Sequence, residues 1–198
     1  MEKLKNKKIL ITGGAGFIGS HLANELVGQY NKVVVIDNLS SGRKENINPK
    51  AKFYKTDVRS KKIYEIFKKE NPEIVFHLAA QPLVDEAYKN PFSAIETNVM
   101  GTVNVLEVCR KQKNVKSIII ASSDKAYGKA EKLPYKESSP LKGDHPYDAS
   151  KSSADLIAKA YFTTYGMPIV ITRISNDNGP GDLNFSRIIQ GIMESVIK

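Results

Sequence analysis

The chain has no tryptophan and only one cysteine, Cys109, in 198 residues. A single cysteine excludes an internal disulfide framework and fits a reducing compartment. Cys109 falls in the apolar-periodic segment Val103–Arg110, the setting of a small buried hydrophobe rather than a reactive thiol. Long apolar runs are also scarce. Ile9-Leu10-Ile11 ends at the polar Thr12, too short for a signal-peptide core or a membrane span. The expectation is a cytoplasmic protein with no membrane partner. His21, His77 and His145 share no metal-ligand spacing with cysteine or carboxylates, so no metal is expected. The net charge is +9, but the lysines are dispersed and no nucleic-acid motif accompanies them. A lysine-rich solvated surface without nucleic acid is the expectation. Its positive field favours small anionic ligands.

What is present is regular. The length suits one α/β domain, and hydrophobic residues at 41% are enough for a buried core. Lys8–Thr12, Lys32–Ile36, Lys52–Thr56, Glu73–His77, Val115–Ala121 and Pro168–Thr172 read as strands. Helical periods occupy Phe17–Val27, Lys61–Lys69, Pro91–Lys111, a segment through Tyr147 to about Tyr165, and a last one from near Asn184. The β-branched run at Lys32–Ile36 is that of a strand buried on both faces. The repetition predicts an α/β fold, a Rossmann-like doubly wound parallel sheet with helices on both faces. Gly128–Asp144, with Pro134, Pro140 and Gly143, reads as a long loop at the ligand-binding edge of that sheet.

Two patterns carry chemistry. Gly13, Gly16 and Gly19 fall between a strand and a helix, where backbone approaches a dinucleotide diphosphate and a helix N-terminus attracts it. Asp37 closes the second strand, placed to accept hydrogen bonds from a ribose 2′-hydroxyl and to repel a 2′-phosphate. This favours NAD as cofactor; Arg43 and Lys44 nearby keep NADP open. The second pattern is Tyr147 and Lys151. Four residues apart on a helix, they share one face. A lysine ammonium beside a phenol lowers its pKa and prepares it to take a proton from a hydroxyl as hydride leaves carbon.

Several stretches extend these patterns: TGGAGFIG from Thr12, VIDNLSSG from Val35, TDVRS from Thr56, FHLAAQPLV from Phe76, ETNVMGTVNVLE from Glu96, SSDKAYG from Ser122, PYDASK from Pro146 and RISNDNGPGD from Arg173. In this order they resemble the extended short-chain dehydrogenase/reductase superfamily, in its nucleotide-sugar epimerase and dehydratase branch. The resemblance implies NAD held by Gly13, Gly16, Phe17, Ile18, Gly19, Asp37 and Asn38. Asp57 and Val58 lie near the adenine, and Leu78, Ala79 and Ala80 beside the ribose and diphosphate. Asn98 sits behind the active site, and Tyr147 and Lys151 border the nicotinamide. It further implies a nucleotide-diphosphate sugar as substrate, contacted by Gln81, Ser123 and Asn176, and a homodimer through a four-helix bundle.

The resemblance also names a serine four before the tyrosine of the S-x-x-x-Y-G pattern, Ser123. Ser122 is the adjacent alternative, and neighbours on a strand point to opposite faces. The pair that follows, Asp124-Lys125, is similar to the Asp-Glu or Asp-Lys of 4,6-dehydratases, the latter in the CDP-glucose branch, which Gln81-Pro82-Leu83-Val84 also resembles. A dehydratase needs an acid to protonate the leaving C6 hydroxyl and a base at C5. Asp124 is the expected acid. Lys125 is the expected base, given burial and neighbouring cations to depress its pKa. The alternatives are a 4-epimerase and an NAD-binding module without turnover. Arg187 is a candidate for a diphosphate and more in keeping with the surface. Asp177-Asn178 departs from the apolar-aromatic pair usual before Gly179-Pro180. Family members are longer, so the expected division is a Rossmann domain over 1–175 and the start of a substrate region over 176–198, with the substrate domain largely absent.

Overall fold

A computed structural model describes residues 4–129, 133–182, 184–185 and 188–197. Its strands are β1 (Lys8–Thr12), β2 (Lys32–Asp37), β3 (Lys52–Lys55), β4 (Ile74–His77), β5 (Ser117–Ser123) and β6 (Ile169–Ile174). They form one sheet in the order β3-β2-β1-β4-β5-β6 with every pairing parallel. The chain runs one way from β1 to β3 and the other way from β4 to β6. The crevice at the carboxyl ends of β1 and β4 is therefore the switch point where such sheets bind ligands.

Alternation along the strands divides the core in two. Leu10, Val34, Ile36, Val75, Ile118 and Ile120 point to one face. There they meet α2 (Lys62–Glu70), α5 (Gly101–Arg110) and α6 (Pro146–Tyr165) through Phe67, Leu106 and Ala158. Ile9, Ile11, Val33 and Val35 point to the other, against Ala23 and Leu26 of α1 (Phe17–Gly28). Both faces are covered, as the unbroken apolar runs require. Each large side chain so buried contributes ~1.5–3 kcal/mol. Cys109 lies in the first core, and burial pushes its thiol well above the usual range. No described helix is long and apolar enough to cross a membrane.

The helix expected over Pro91–Lys111 is interrupted. It comprises α4 (Pro91–Ile95), a π-helical turn at Glu96–Met100, and then α5. Asn90 caps its start, its Oδ1 accepting from Ser93 N at 3.1 Å. The wider turn lets Asn98 be buried. A short helix, α3 (Val84–Lys89), precedes it. Six residues are too few to declare a helical period in sequence. β5 runs on to Ser123 and passes into a 3₁₀ turn at Asp124–Tyr127. Gly166 ends α6 as expected, at φ +63° with its N–H donating to Phe162 O. Among the described residues, the last helix, α7, spans Ile188–Ile197.

Candidate active site

The glycine turn joins β1 to α1 at the switch point. A Cβ on Gly13 would stand 2.6 Å from the Ala79 backbone nitrogen, and Gly13 also has φ +73°. A Cβ on Gly19 would stand 2.2 Å from Gly13 O. Both positions therefore require glycine. The first α1 hydrogen bond to be closed is Ser20 N to Gly16 O. The N–H groups of Phe17, Ile18 and Gly19 thus have no partner within the helix. Around Gly16 itself the space is open apart from Gly13 O. Three unspent donors on an open helix N-terminus fit a dinucleotide diphosphate. Leu78 and Ala79 close the other side, donating to Thr12 O at 3.0 Å and Thr12 Oγ1 at 3.4 Å. Ala80 follows, half-buried.

Asp37 stands at the end of β2 facing this turn. Its carboxylate accepts from Ala15 N at 3.0 Å and Leu39 N at 2.8 Å. Asn38 donates from Nδ2 to Asp57 Oδ2 at 2.8 Å, tying the ends of β2 and β3 together. Arg59 grips the same carboxylate and holds it down to about 2. Val58 is buried beneath this turn, and Asn104 donates to its carbonyl.

Behind the crevice a polar chain crosses the fold. Thr102 Oγ1 donates to Asn98 O at 2.6 Å, so it accepts from His77 Nε2 at 3.0 Å. This assigns the imidazole proton to Nε2 and leaves Nδ1 to accept from Thr12 Oγ1 at 2.7 Å. Burial, with the Lys151 charge as a lesser cause, pushes His77 down to about 3. It is a neutral strut. Asn98 continues the chain: its Oδ1 accepts from Gln81 N at 2.7 Å, and its Nδ2 donates to Gln81 O at 3.2 Å and Ser150 Oγ at 2.8 Å. The π-helical turn thereby fixes both the loop after β4 and the helix that carries Tyr147 and Lys151.

Tyr147 is buried against Ala87 of α3 and Ala94 of α4, so the helix missed in sequence builds the wall behind it. One turn on, Lys151 is buried, and its Nζ donates to Ala121 O at 3.0 Å. Burial pushes this ammonium down to about 8. Ser152 Oγ donates to Ala126 O at 2.8 Å and binds α6 to the 3₁₀ turn. At the end of β5, Ser122 and Ser123 take opposite faces. Ser122 is buried and its Oγ finds no partner among the described residues. Ser123 Oγ faces the turn, where it donates to Asp124 Oδ1 at 3.1 Å. Lys125 is exposed, so the burial that its role as a base calls for is not met in the free chain. Asp148, beside Tyr147, is raised above the usual carboxylate range by burial, and Lys125 and His145 oppose that rise.

Gln81 donates from Nε2 to Leu83 O, while its Oε1 is buried without a partner among the described residues. Asn176 is exposed, two positions past Ile174, which pairs with Ser123. Both therefore stand at one sheet edge without a hydrogen bond joining them. No local pattern assigns Arg173 a partner. It forms a bidentate pair with the fully buried Asp155 at 2.7 and 3.0 Å and donates to Tyr127 Oη and Glu137 O. It thus joins β6, α6, the 3₁₀ turn and the long loop. Arg187 lies outside the described residues. Among those described, no group of three or more His, Cys, Asp or Glu is arranged to hold a metal ion.

The GDP-mannose 4,6 dehydratase family model matches residues 10–197. The chain belongs to this family of NAD-dependent extended short-chain dehydrogenases/reductases, the nucleotide-sugar epimerases and dehydratases. It is 40% identical to a putative UDP-glucose 4-epimerase of Methanocaldococcus jannaschii, over 86% of this chain and 56% of that protein. It is 37% identical to a dTDP-D-glucose 4,6-dehydratase of Dictyostelium discoideum, over 88% of this chain and 44% of the relative. A solved dTDP-glucose 4,6-dehydratase, the Streptomyces venezuelae DesIV double mutant with NAD bound, superimposes with TM-score 0.86 at 32% identity, covering 96% of this chain and 62% of that one. The chain spans about half the length of the curated relatives it matches.

Proposed function

We propose that this chain supplies the cofactor-binding and catalytic residues of an NAD-dependent nucleotide-sugar 4,6-dehydratase, acting through a 4-keto sugar. One observation carries the choice of reaction: Ser123 Oγ, the expected contact of the reacting hydroxyl, donates directly to the Asp124 carboxylate. A carboxyl group at this position can, once protonated, serve an elimination, whereas simple inversion at C4 calls for no such group. The Asp124-Lys125 pair also favours CDP-glucose among possible substrates. Residues 176–198 begin the substrate-facing region, with Asn176 toward the sugar-nucleotide phosphates.

NAD, held at the glycine turn, would supply the hydride acceptor and donor for the reaction. The residues do the rest. Tyr147 takes the proton of the 4-hydroxyl, which Ser123 orients. Lys151, anchored on Ala121 O, stabilises the phenolate electrostatically. The 4-ketone acidifies C5–H. With Lys125 neutral and Asp124 protonated at the outset, Lys125 accepts that proton and Asp124 gives one to the departing C6 hydroxyl, so water leaves; Lys125 then returns its proton to C5 as C6 takes the hydride, and charge balances. For this, the bound sugar must exclude water from Lys125, which is exposed in the free chain.

The 4-epimerase reading is favoured by the 40% identity to a putative 4-epimerase and keeps every step up to the ketone. A module that binds NAD without turnover is the third reading. Mass spectrometry after incubation with NAD and a panel of nucleoside-diphosphate glucoses separates them. Loss of water, abolished by Tyr147→Phe, supports the dehydratase. Unchanged mass with an inverted C4 proton signal by NMR supports the epimerase. NAD binding with an unaltered sugar supports the module.

The proposal extends to a cytoplasmic homodimer. Phe92, Ile95 and Met100 along the α4–α5 path and Leu156 and Phe162 on α6 are exposed, the apolar stripes that two helices from each copy would bury in a four-helix bundle.

A further inference from the structure

At the carboxyl end of β3 a guanidinium is held flat. Arg59 Nε donates to Asp57 Oδ1 at 2.9 Å and Nη2 to Asp57 Oδ2 at 2.8 Å. Its Nη1 donates to Glu96 Oε2 at 2.9 Å, at the first residue of the π-helical turn. Opposite edges of the plane are thus pinned by two carboxylates from different segments. The side chain nevertheless keeps 38% of its surface exposed. With its edges committed, that surface is available for stacking, and a guanidinium stacks well on a planar nitrogen heterocycle.

The Asp57 carboxylate is saturated. Besides the two side-chain donors it accepts from Arg59 N at 2.8 Å and Asn38 Nδ2 at 2.8 Å, filling the roughly four lone-pair positions of a carboxylate. An adenine amino group gains a bond to Asp57 only by displacing one of these. The Val58 N–H, by contrast, donates to no acceptor in the described chain. A free backbone donor next to a pinned cationic plane is a purine-recognition pair: the donor reads a ring nitrogen and the plane stacks on the ring.

We propose that Arg59 is a cofactor-binding residue that stacks on the adenine of the dinucleotide, held in place by Asp57 and Glu96. The inference rests on the NAD reading of the glycine turn and adds a residue to it. Its test is binding to the chain as it stands, by calorimetry with NAD, ADP-ribose and nicotinamide mononucleotide. Arg59→Lys keeps the charge and removes the plane. It is expected to weaken NAD and ADP-ribose together by about five- to tenfold and to leave nicotinamide mononucleotide unchanged. Glu96→Ala frees one edge only and should give a smaller loss of the same pattern. Unchanged ADP-ribose affinity in Arg59→Lys overturns the proposal, and so does an equal loss for nicotinamide mononucleotide, which would mean a general loosening of the fold. If the unaltered chain binds neither NAD nor ADP-ribose, the cofactor reading fails first and takes this inference with it.

Discussion

The polar chain behind the crevice and the polar rim in front of it are built on opposite terms. Thr12, His77, Asn98 and Thr102 are each less than 5% exposed, and every one is bonded to another part of the chain. The rim has Ser123 and Asp124 half-buried and Lys125 and Asn176 exposed. Gln81 Oε1 has no partner among the described residues. A satisfied buried network specifies one geometry at high cost of disruption. Open valences specify nothing until a ligand fills them. The difference separates two roles: the position of Tyr147 and Lys151 is fixed from behind, while on the proposed reading the choice of substrate and outcome falls to the rim.

The largest effect tests what the sealed side positions. Tyr147→Phe should lower turnover by ~10²–10⁴-fold, the usual worth of a positioned general base, with NAD affinity unchanged. Turnover within tenfold of the original would remove Tyr147 from the chemistry. Next comes the network itself. Asn98→Ala strips partners from Gln81 N, Gln81 O and Ser150 Oγ at once. The expected cost is ~2–4 kcal/mol in urea unfolding. A change below ~0.5 kcal/mol, the range of an ordinary surface substitution, would make the buried chain no different from the rim.

His77 gives a third and smaller handle through pH. Its folded pKa, about 3, lies below the ordinary 6.5 because the buried ring resists charging. The unfolded chain therefore takes up a proton below pH 6.5 that the folded chain refuses. Stability from this group is complete above 6.5 and declines as pH falls toward 3, by up to ~1.4 kcal/mol per pH unit. Between pH 7 and 5 the effect is separable from Asp57, whose depressed pKa acts only below its ordinary 3.8. Comparing urea midpoints at the two pH values, His77→Gln should lose part of the acid sensitivity of the original chain. An identical decline in both would place the proton uptake elsewhere.

Much of the sealed side was legible in sequence, because local pattern governs it. Apolar runs marked the strands, and the spacing of Gly13, Gly16 and Gly19 marked the turn. What escaped depends on contacts between distant residues. Nothing local says that Glu96–Met100 widens into a π-helical turn, since its reason is Asn98 reaching Gln81 and Ser150. Nor does any local pattern pair Arg173 with Asp155. The expected burial of Lys125 is likewise not met in the free chain, where the residue lies exposed in the 3₁₀ turn.

The rim is where a substitution should change outcome without changing the fold. Lys125 is exposed and forms no ion pair within 4 Å among the described residues, so Lys125→Met should leave unfolding within ~0.5 kcal/mol. If elimination proceeds as proposed, the variant still oxidises C4, because Ser123, Tyr147 and Lys151 are intact, but it lacks the group that accepts the C5 proton. Loss of water should fall by ~10²-fold or more. Exchange of the C4 hydrogen with labelled cofactor should persist. Under the epimerase reading the same variant keeps its product and most of its rate. On the proposed reading one exposed lysine would separate the two reactions, because the sealed network holds the residues of the oxidising step apart from the group that follows it.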